Sequence, residues 1–111
     1  MVVVVFRSRV RAGLSPEILQ ELETRGARVA ELAPSMPGFV SYKDFTSPDG
    51  ESVTIVEFET HEQLAVWREH PEHRAVQELG RRAVFAEYQI QVCDLARTAR
   101  FDGASVRRTT R

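Results

Sequence analysis

The second to fifth residues of the chain are all valine, and Phe6 follows them. β-branched side chains are stiff at χ1 and pack well on a pleated surface, so VVVVFRSRV over Val2–Val10 predicts a strand. Apolar residues at consecutive positions mean that both faces of this strand are covered. Alternation puts Val2, Val4, Phe6 and Ser8 on one face, and Val3, Val5, Arg7 and Arg9 on the other. Helices of the same chain can cover the first face. The second needs another cover, and a second copy of the chain supplies one. A central strand in a dimer is therefore the first expectation.

The remaining segments fall into order around that strand. Ser15-Pro16-Glu17 has a cap, a proline for the first turn and an acid at the positive end of the dipole. Ile18, Leu22, Val29 and Leu32 then mark one face of a helix that runs to about Ala33, where Pro34 and Pro37-Gly38 turn the chain. Gly26 inside it costs about 1 kcal/mol of helix propensity relative to Ala and reads as a tight packing contact or a bend. Phe39–Thr46 and Ser52–Phe58 read as two strands joined by a Pro48-Asp49-Gly50 turn, in which Pro presets φ and Gly takes a positive φ. Simple alternation sets Val40, Tyr42 and Asp44 opposite Phe39, Ser41, Lys43 and Phe45. Residues 86–95 supply a last strand.

Between these strands lies THEQLAVWREHPEHRAVQELGRR, residues 60–82, with the only Trp and all three His. Thr60 with Gln63 three residues on is a capping box, in which each side chain satisfies a backbone N–H of the other. Pro71 cannot continue a helix but suits the start of one. Two short helices are predicted, broken at His70-Pro71, the second ending near Gly80. The order β-α-β-β-α-β is the split βαβ unit of ferredoxin-like α+β domains: four antiparallel strands with the helices on one face.

Size and composition agree. A chain of 111 residues with 42% hydrophobic and 28% charged residues is an ordinary globular domain that needs no disulfide. The single Cys93 fits a reducing compartment, so a cytoplasmic location is expected. No apolar run reaches the roughly 20 residues of a membrane helix. The net charge of -1 hides an asymmetry. Arg97, Arg100, Arg107, Arg108 and Arg111 face only Asp102 at the C-terminal end; subtracting these from 15 basic and 16 acidic residues leaves ten and fifteen, net -5. Residues 1–96 thus read as the domain and residues 97–111 as a basic tail. Five arginines neutralise few phosphates, so a tail lying on an acidic protein surface is expected rather than nucleic-acid binding.

Taken together, VVVVFRSRV, PGFVSYKDF, VTIVEFET and HEQLAVWREHPEH resemble the antibiotic biosynthesis monooxygenase domain over about residues 2–96. The resemblance implies a dimeric α/β barrel with a ligand cleft between sheet and helices in each subunit. It also implies oxygenation of small aromatic or quinol-type substrates with neither metal nor flavin, or, in other members, haem degradation. Trp67 matches the Trp of the haem-degrading members. Their pocket Asn falls on Phe6, and their axial His on Val76 or Gln77, so haem is not the expected cofactor. Phe6, Val76 and Gln77 are instead expected to border the substrate. Quinol-oxidising members carry a His beside a Pro at the helix break; His73 lies two residues after Pro71.

The residues themselves allow more than one reading. An indole at Trp67 can wall an aromatic site, or can be plain core. A neutral imidazole at His73 or His70 can take a proton from a phenol or quinol, or can sit solvated at a helix end. Tyr42 can bring a hydroxyl to a cleft or lie at a dimer rim. Pro71 disrupts the His-Pro-Glu-His cluster as a metal site, so no metal is expected. The expected activity is a cofactor-independent monooxygenase with Trp67, His73 and His70 as catalytic candidates. The alternative is a dimeric binding protein that keeps the cleft without the chemistry.

Overall fold

The computed structural model describes residues 1–103. Of the basic tail, Arg97 and Arg100 fall inside that range; Arg107, Arg108 and Arg111 lie outside the described residues. Strands β1 (Val2–Val10), β2 (Phe39–Thr46), β3 (Ser52–Phe58) and β4 (Phe85–Asp94) form one antiparallel sheet in the order β2-β3-β1-β4. The valine run is central, as its two-faced pattern requires: Val4 pairs with Val56 on one side and with Val92 on the other. Helices α1 (Pro16–Leu32), α2 (His61–Glu69) and α3 (Pro71–Leu79) complete a ferredoxin-like α+β fold.

Local chemistry fixes the element ends. Ser15 Oγ accepts a hydrogen bond from the Ile18 N–H at 3.2 Å, which caps α1. Gly50 adopts φ +92° in the β2–β3 turn, where its N–H donates to the Ser47 carbonyl at 2.9 Å. At the helix break, Pro71 opens α3 and His70 caps it: His70 Nδ1 accepts from the Glu72 N–H at 3.1 Å. The core lies on the even face of β1, where Val2, Val56 and Phe58 of the sheet meet Val29, Ala33, Leu64 and Trp67 of the helical layer. Burying each of these larger side chains contributes roughly 1.5–3 kcal/mol.

Three local features differ from the sequence reading. First, a bulge between Phe39 and Ser41 sets Phe39 opposite Phe58 and Tyr42 opposite Val56. Phe39 therefore joins Tyr42 on the core face, edge-on to Phe58 with ring centroids 6.0 Å apart. An extra residue in one strand reverses the alternation on one side of it. Second, only half of the capping box forms. Thr60 Oγ1 accepts from the Gln63 N–H at 3.1 Å, but Gln63 Oε1 is buried without a hydrogen-bond partner. The Gln63 side chain lies instead over Gly38, where any Cβ would collide with it. Third, α3 ends at Leu79 as expected, but the chain does not turn at its cap Gly80: it continues as a π turn over Gly80–Val84 before β4, and Gly80 keeps a helical φ of -58°.

No described helix covers the other face of the sheet. Val3 and Val5 sit there, with Ile55 of β3 opposite Val5 and Val53 opposite Arg7. Arg7 and Arg9 also point this way and pair within the chain. Arg7 grips Glu51 with two bonds of 2.9 and 3.1 Å, and Arg9 reaches Asp49 at 2.8 Å and Glu87 at 3.4 Å. The Arg9 guanidinium, helped by the Glu51 N–H, holds the Asp49 carboxyl down at about 2.

Candidate functional site

Helical spacing brings Leu22, Gly26 and Val29 of α1 onto one side of that helix. They face the even side of the sheet across a cavity of about 220 Å³. A cavity of about 150 Å³ admits benzene, so this one has room for a two-ring aromatic. Val4 and Phe6 of β1 form its floor with Tyr42, Thr54 and Val56. Trp67 and Arg68 of α2 border it, as do His73, Val76 and Gln77 of α3. Ile90 and Val92 of β4 are 45% and 46% exposed, so the wall is open along this edge strand.

The structure thus brings six of the seven sequence-picked residues to one cavity: Trp67, His73, Phe6, Val76, Gln77 and Tyr42. His70 is not part of the lining. Its Nδ1 lone pair is engaged by the Glu72 N–H as the cap of α3, which is a structural task. His61 pairs with Asp94 at the surface, 2.6 Å apart.

Trp67 is only 2% exposed, and its ring lies between two others. Phe58 stacks near-parallel at 27° with a 6.4 Å centroid separation, and the His73 ring is 4.6 Å away, tilted by 51°. Indole and imidazole are therefore side by side on the helical wall rather than on opposite walls. This follows from their spacing across the break: the turn at His70-Pro71 folds α3 back so that His73 meets the residue six positions before it.

Burial pushes the His73 pKa below the usual value of about 6.5. The positive charge of Arg68 adds to that, while a hydrogen bond to the Arg68 backbone opposes it. At neutral pH the ring is uncharged, and its Nδ1 is buried without a partner among the described residues. Burial, with the nearby Asp44 carboxylate, pushes the Tyr42 phenol upward, so it stays protonated and able to donate. The Thr54 hydroxyl is already committed, donating to Asp44 at 2.6 Å. The lining contains no Asp or Glu, and Arg68 is its one guanidinium. Among the described residues no three His, Cys, Asp or Glu side chains converge on a metal position.

Sequence reading missed Arg68 and Gly26. Arg68 follows Trp67 on an exposed stretch of helix, and nothing local marks it as the rim of a cavity. Gly26 read as a close contact or bend, but nothing lies within 4 Å of where its Cβ would be. Its absent side chain leaves room instead. The signal, a glycine on the apolar side of an amphipathic helix, was present but has two opposite meanings.

Comparison with known proteins points one way. The sequence model described as antibiotic biosynthesis monooxygenase matches residues 1–79. The uncharacterized protein YqjZ of Bacillus subtilis is 30% identical over 74 residues, which span 67% of this chain and 65% of YqjZ. Among solved structures, SnoaB of Streptomyces nogalater, a cofactor-independent oxygenase, superposes with a TM-score of 0.66 at 20% identity, covering 87% of this chain and 94% of SnoaB. Rv0793 of Mycobacterium tuberculosis gives 0.72 at 19% identity over 89% and 98% of the two chains. At these identities the structural matches speak for the shared fold.

Proposed function

Because the chain belongs to the antibiotic biosynthesis monooxygenase family, we propose that it oxygenates a small aromatic or quinol-type substrate with O₂ and no added cofactor. The observation that carries this reading is the largely apolar cavity with a single half-buried, neutral imidazole set against an indole. Val4, Phe6, Val76 and the edge of Trp67 hold and desolvate a planar ring, and Tyr42 and Gln77 offer hydrogen bonds that orient it. His73 takes the proton from a ring hydroxyl, since a base with a pKa below neutrality is in its accepting form. The resulting electron-rich anion bonds to O₂ at a ring carbon, and the proton held by His73 completes a hydroperoxide there. Loss of that carbon's C–H proton with cleavage of the O–O bond releases the outer oxygen as water and leaves the inner one as a quinone carbonyl, so the substrate supplies all four electrons. The protein's contribution is orientation, water exclusion and a base. That SnoaB carries the description of a cofactor-independent oxygenase on the same fold supports this assignment.

The test is oxygen consumption with naphthalene-1,4-diol or an anthrone. Turnover in the wild type that falls at least tenfold in His73→Ala and Trp67→Phe is the expected result. Turnover unchanged in both variants would sink it. Tight binding without oxygen uptake would instead assign a binding protein, a reading favoured by the near-complete enclosure of the indole.

The reading extends to assembly. Two copies pair through the uncovered sheet faces, burying Val3, Val5, Val53 and Ile55 in a cytoplasmic homodimer. Apolar surface of this kind is seldom left wet. Residues 1–96 form the folded unit, and the net positive charge of residues 97–111 suits an acidic protein surface better than nucleic acid. No described helix is long and apolar enough to cross a membrane. A wild-type dimer by sedimentation, with Ile55→Glu monomeric, is expected.

A further inference from the structure

We infer that Arg68 reads an anionic oxygen, so that the ligand of this cavity is a one- or two-ring aromatic carrying a carboxylate or an ionised enol. The inference deepens the proposed function and rests on the cavity being the ligand site. Its ground is the charge distribution around the opening. The lining is apolar apart from the hydroxyls of Tyr42 and Thr54, the Gln77 amide, the uncharged His73 and Arg68. No carboxylate of the described residues lines the cavity. The Arg68 guanidinium makes no ion pair or hydrogen bond with another described side chain, whereas Arg7, Arg9, Arg25 and Arg28 each hold an acid.

Two further features fit that reading. Arg68 sits in the last turn of α2, where the carbonyl end of the helix dipole favours a cation with no acid needed beside it. It is also exposed, so it stays hydrated at the rim while the apolar lining takes the ring. A ligand that is apolar at one end and anionic at the other matches this polarity. An arginine suits the task because its planar fork binds a carboxylate or enolate through two parallel N–H bonds. Elsewhere the chain is acidic, net -5 over the domain by the charges above, so an anion meets attraction at this mouth and repulsion over much of the remaining surface.

Calorimetric titration with two isosteric pairs tests this. One pair is 2-naphthoate and 2-naphthamide; the other is 2-hydroxy-1,4-naphthoquinone, which ionises, and its methyl ether. The anionic member of at least one pair is expected to bind about tenfold tighter than its neutral partner, the size of a partly hydrated charged hydrogen bond. Which pair discriminates identifies the anion as carboxylate or enolate. The preference is expected to vanish in Arg68→Gln, to persist in Arg68→Lys and to weaken with added salt, while thermal melting confirms that both variants fold. Equal affinity within both pairs, or a preference that survives in Arg68→Gln, overturns the inference and leaves the proposed function standing. If none of the four compounds binds the wild type, the cavity reading falls and this inference falls with it.

Discussion

Gly26 offers a perturbation with two opposite consequences that a single structural fact predicts. It sits in the interior of α1, borders the cavity, and has nothing within 4 Å of its missing Cβ. Gly26→Ala therefore removes backbone freedom from the unfolded chain without a steric cost in the folded one. Helix propensity puts the gain at about 1 kcal/mol, which for a domain of this size raises the melting midpoint by about 4 °C. The added methyl projects toward the space that a ligand would use, so the same variant loses a little affinity for a two-ring probe. Gly26→Leu carries the argument further. Its side chain fills part of the cavity, keeps most of the stability gain and weakens 2-naphthoate binding at least tenfold. The assay is thermal unfolding at fixed protein concentration, since the proposed dimerisation would make the midpoint concentration-dependent, followed by calorimetry. A Gly26→Ala protein that melts lower than wild type would show that α1 lies closer to the sheet than described. Unchanged ligand affinity in Gly26→Leu would show that the ligand binds elsewhere.

Other variants read other parts of the site. A Cβ on Gly80 would overlap the Phe85 ring, which also borders the cavity. Gly80→Ala is thus expected to push that ring inward, to cost about 1–3 kcal/mol in urea unfolding and to weaken two-ring ligands. His73 has a folded pKa below its unfolded value of about 6.5, so the unfolded chain binds the proton more readily. Its contribution to stability is complete above the unfolded pKa and is lost as pH falls through the lower folded value. Denaturation midpoints from pH 7 to 4.5 should therefore fall more steeply in wild type than in His73→Gln, and parallel curves would refute the burial argument. The rate of oxygen uptake should likewise hold a plateau at neutral pH and decline below the ordinary histidine range. His70→Ala removes the α3 cap and should cost roughly 1 kcal/mol of stability, with oxygen turnover per folded molecule unchanged. A large loss of turnover would return His70 to the chemistry.

Much of this architecture was legible before folding because the signals are local. Ser15-Pro16, Thr60, Pro71 and Pro48-Asp49-Gly50 act on their own backbones within a few residues, so the elements they bound could be read in place. The family resemblance named Trp67 and the region of His73, and periodicity put Phe6 on the face that helices cover. Phe39 was misassigned because a bulge is invisible to alternation, and its position depends on pairing with Phe58 across the sheet. The reciprocal half of the Thr60–Gln63 box failed for a related reason. The open surface of Gly38, from the loop before β2, gave the Gln63 side chain another place to lie.

By itself, then, the amino-acid order determined the strands, the helices, the broken second helix and the ferredoxin-like topology, since periodicity and capping act over a few residues and need no distant partner. Only the tertiary structure decided that a space remains between α1 and the sheet, that Gly26 opens it, that His73 turns against Trp67 and that Arg68 stands at its rim. Those facts depend on the separation and angle of elements far apart in the chain, and such distances are set by how the side chains between them pack.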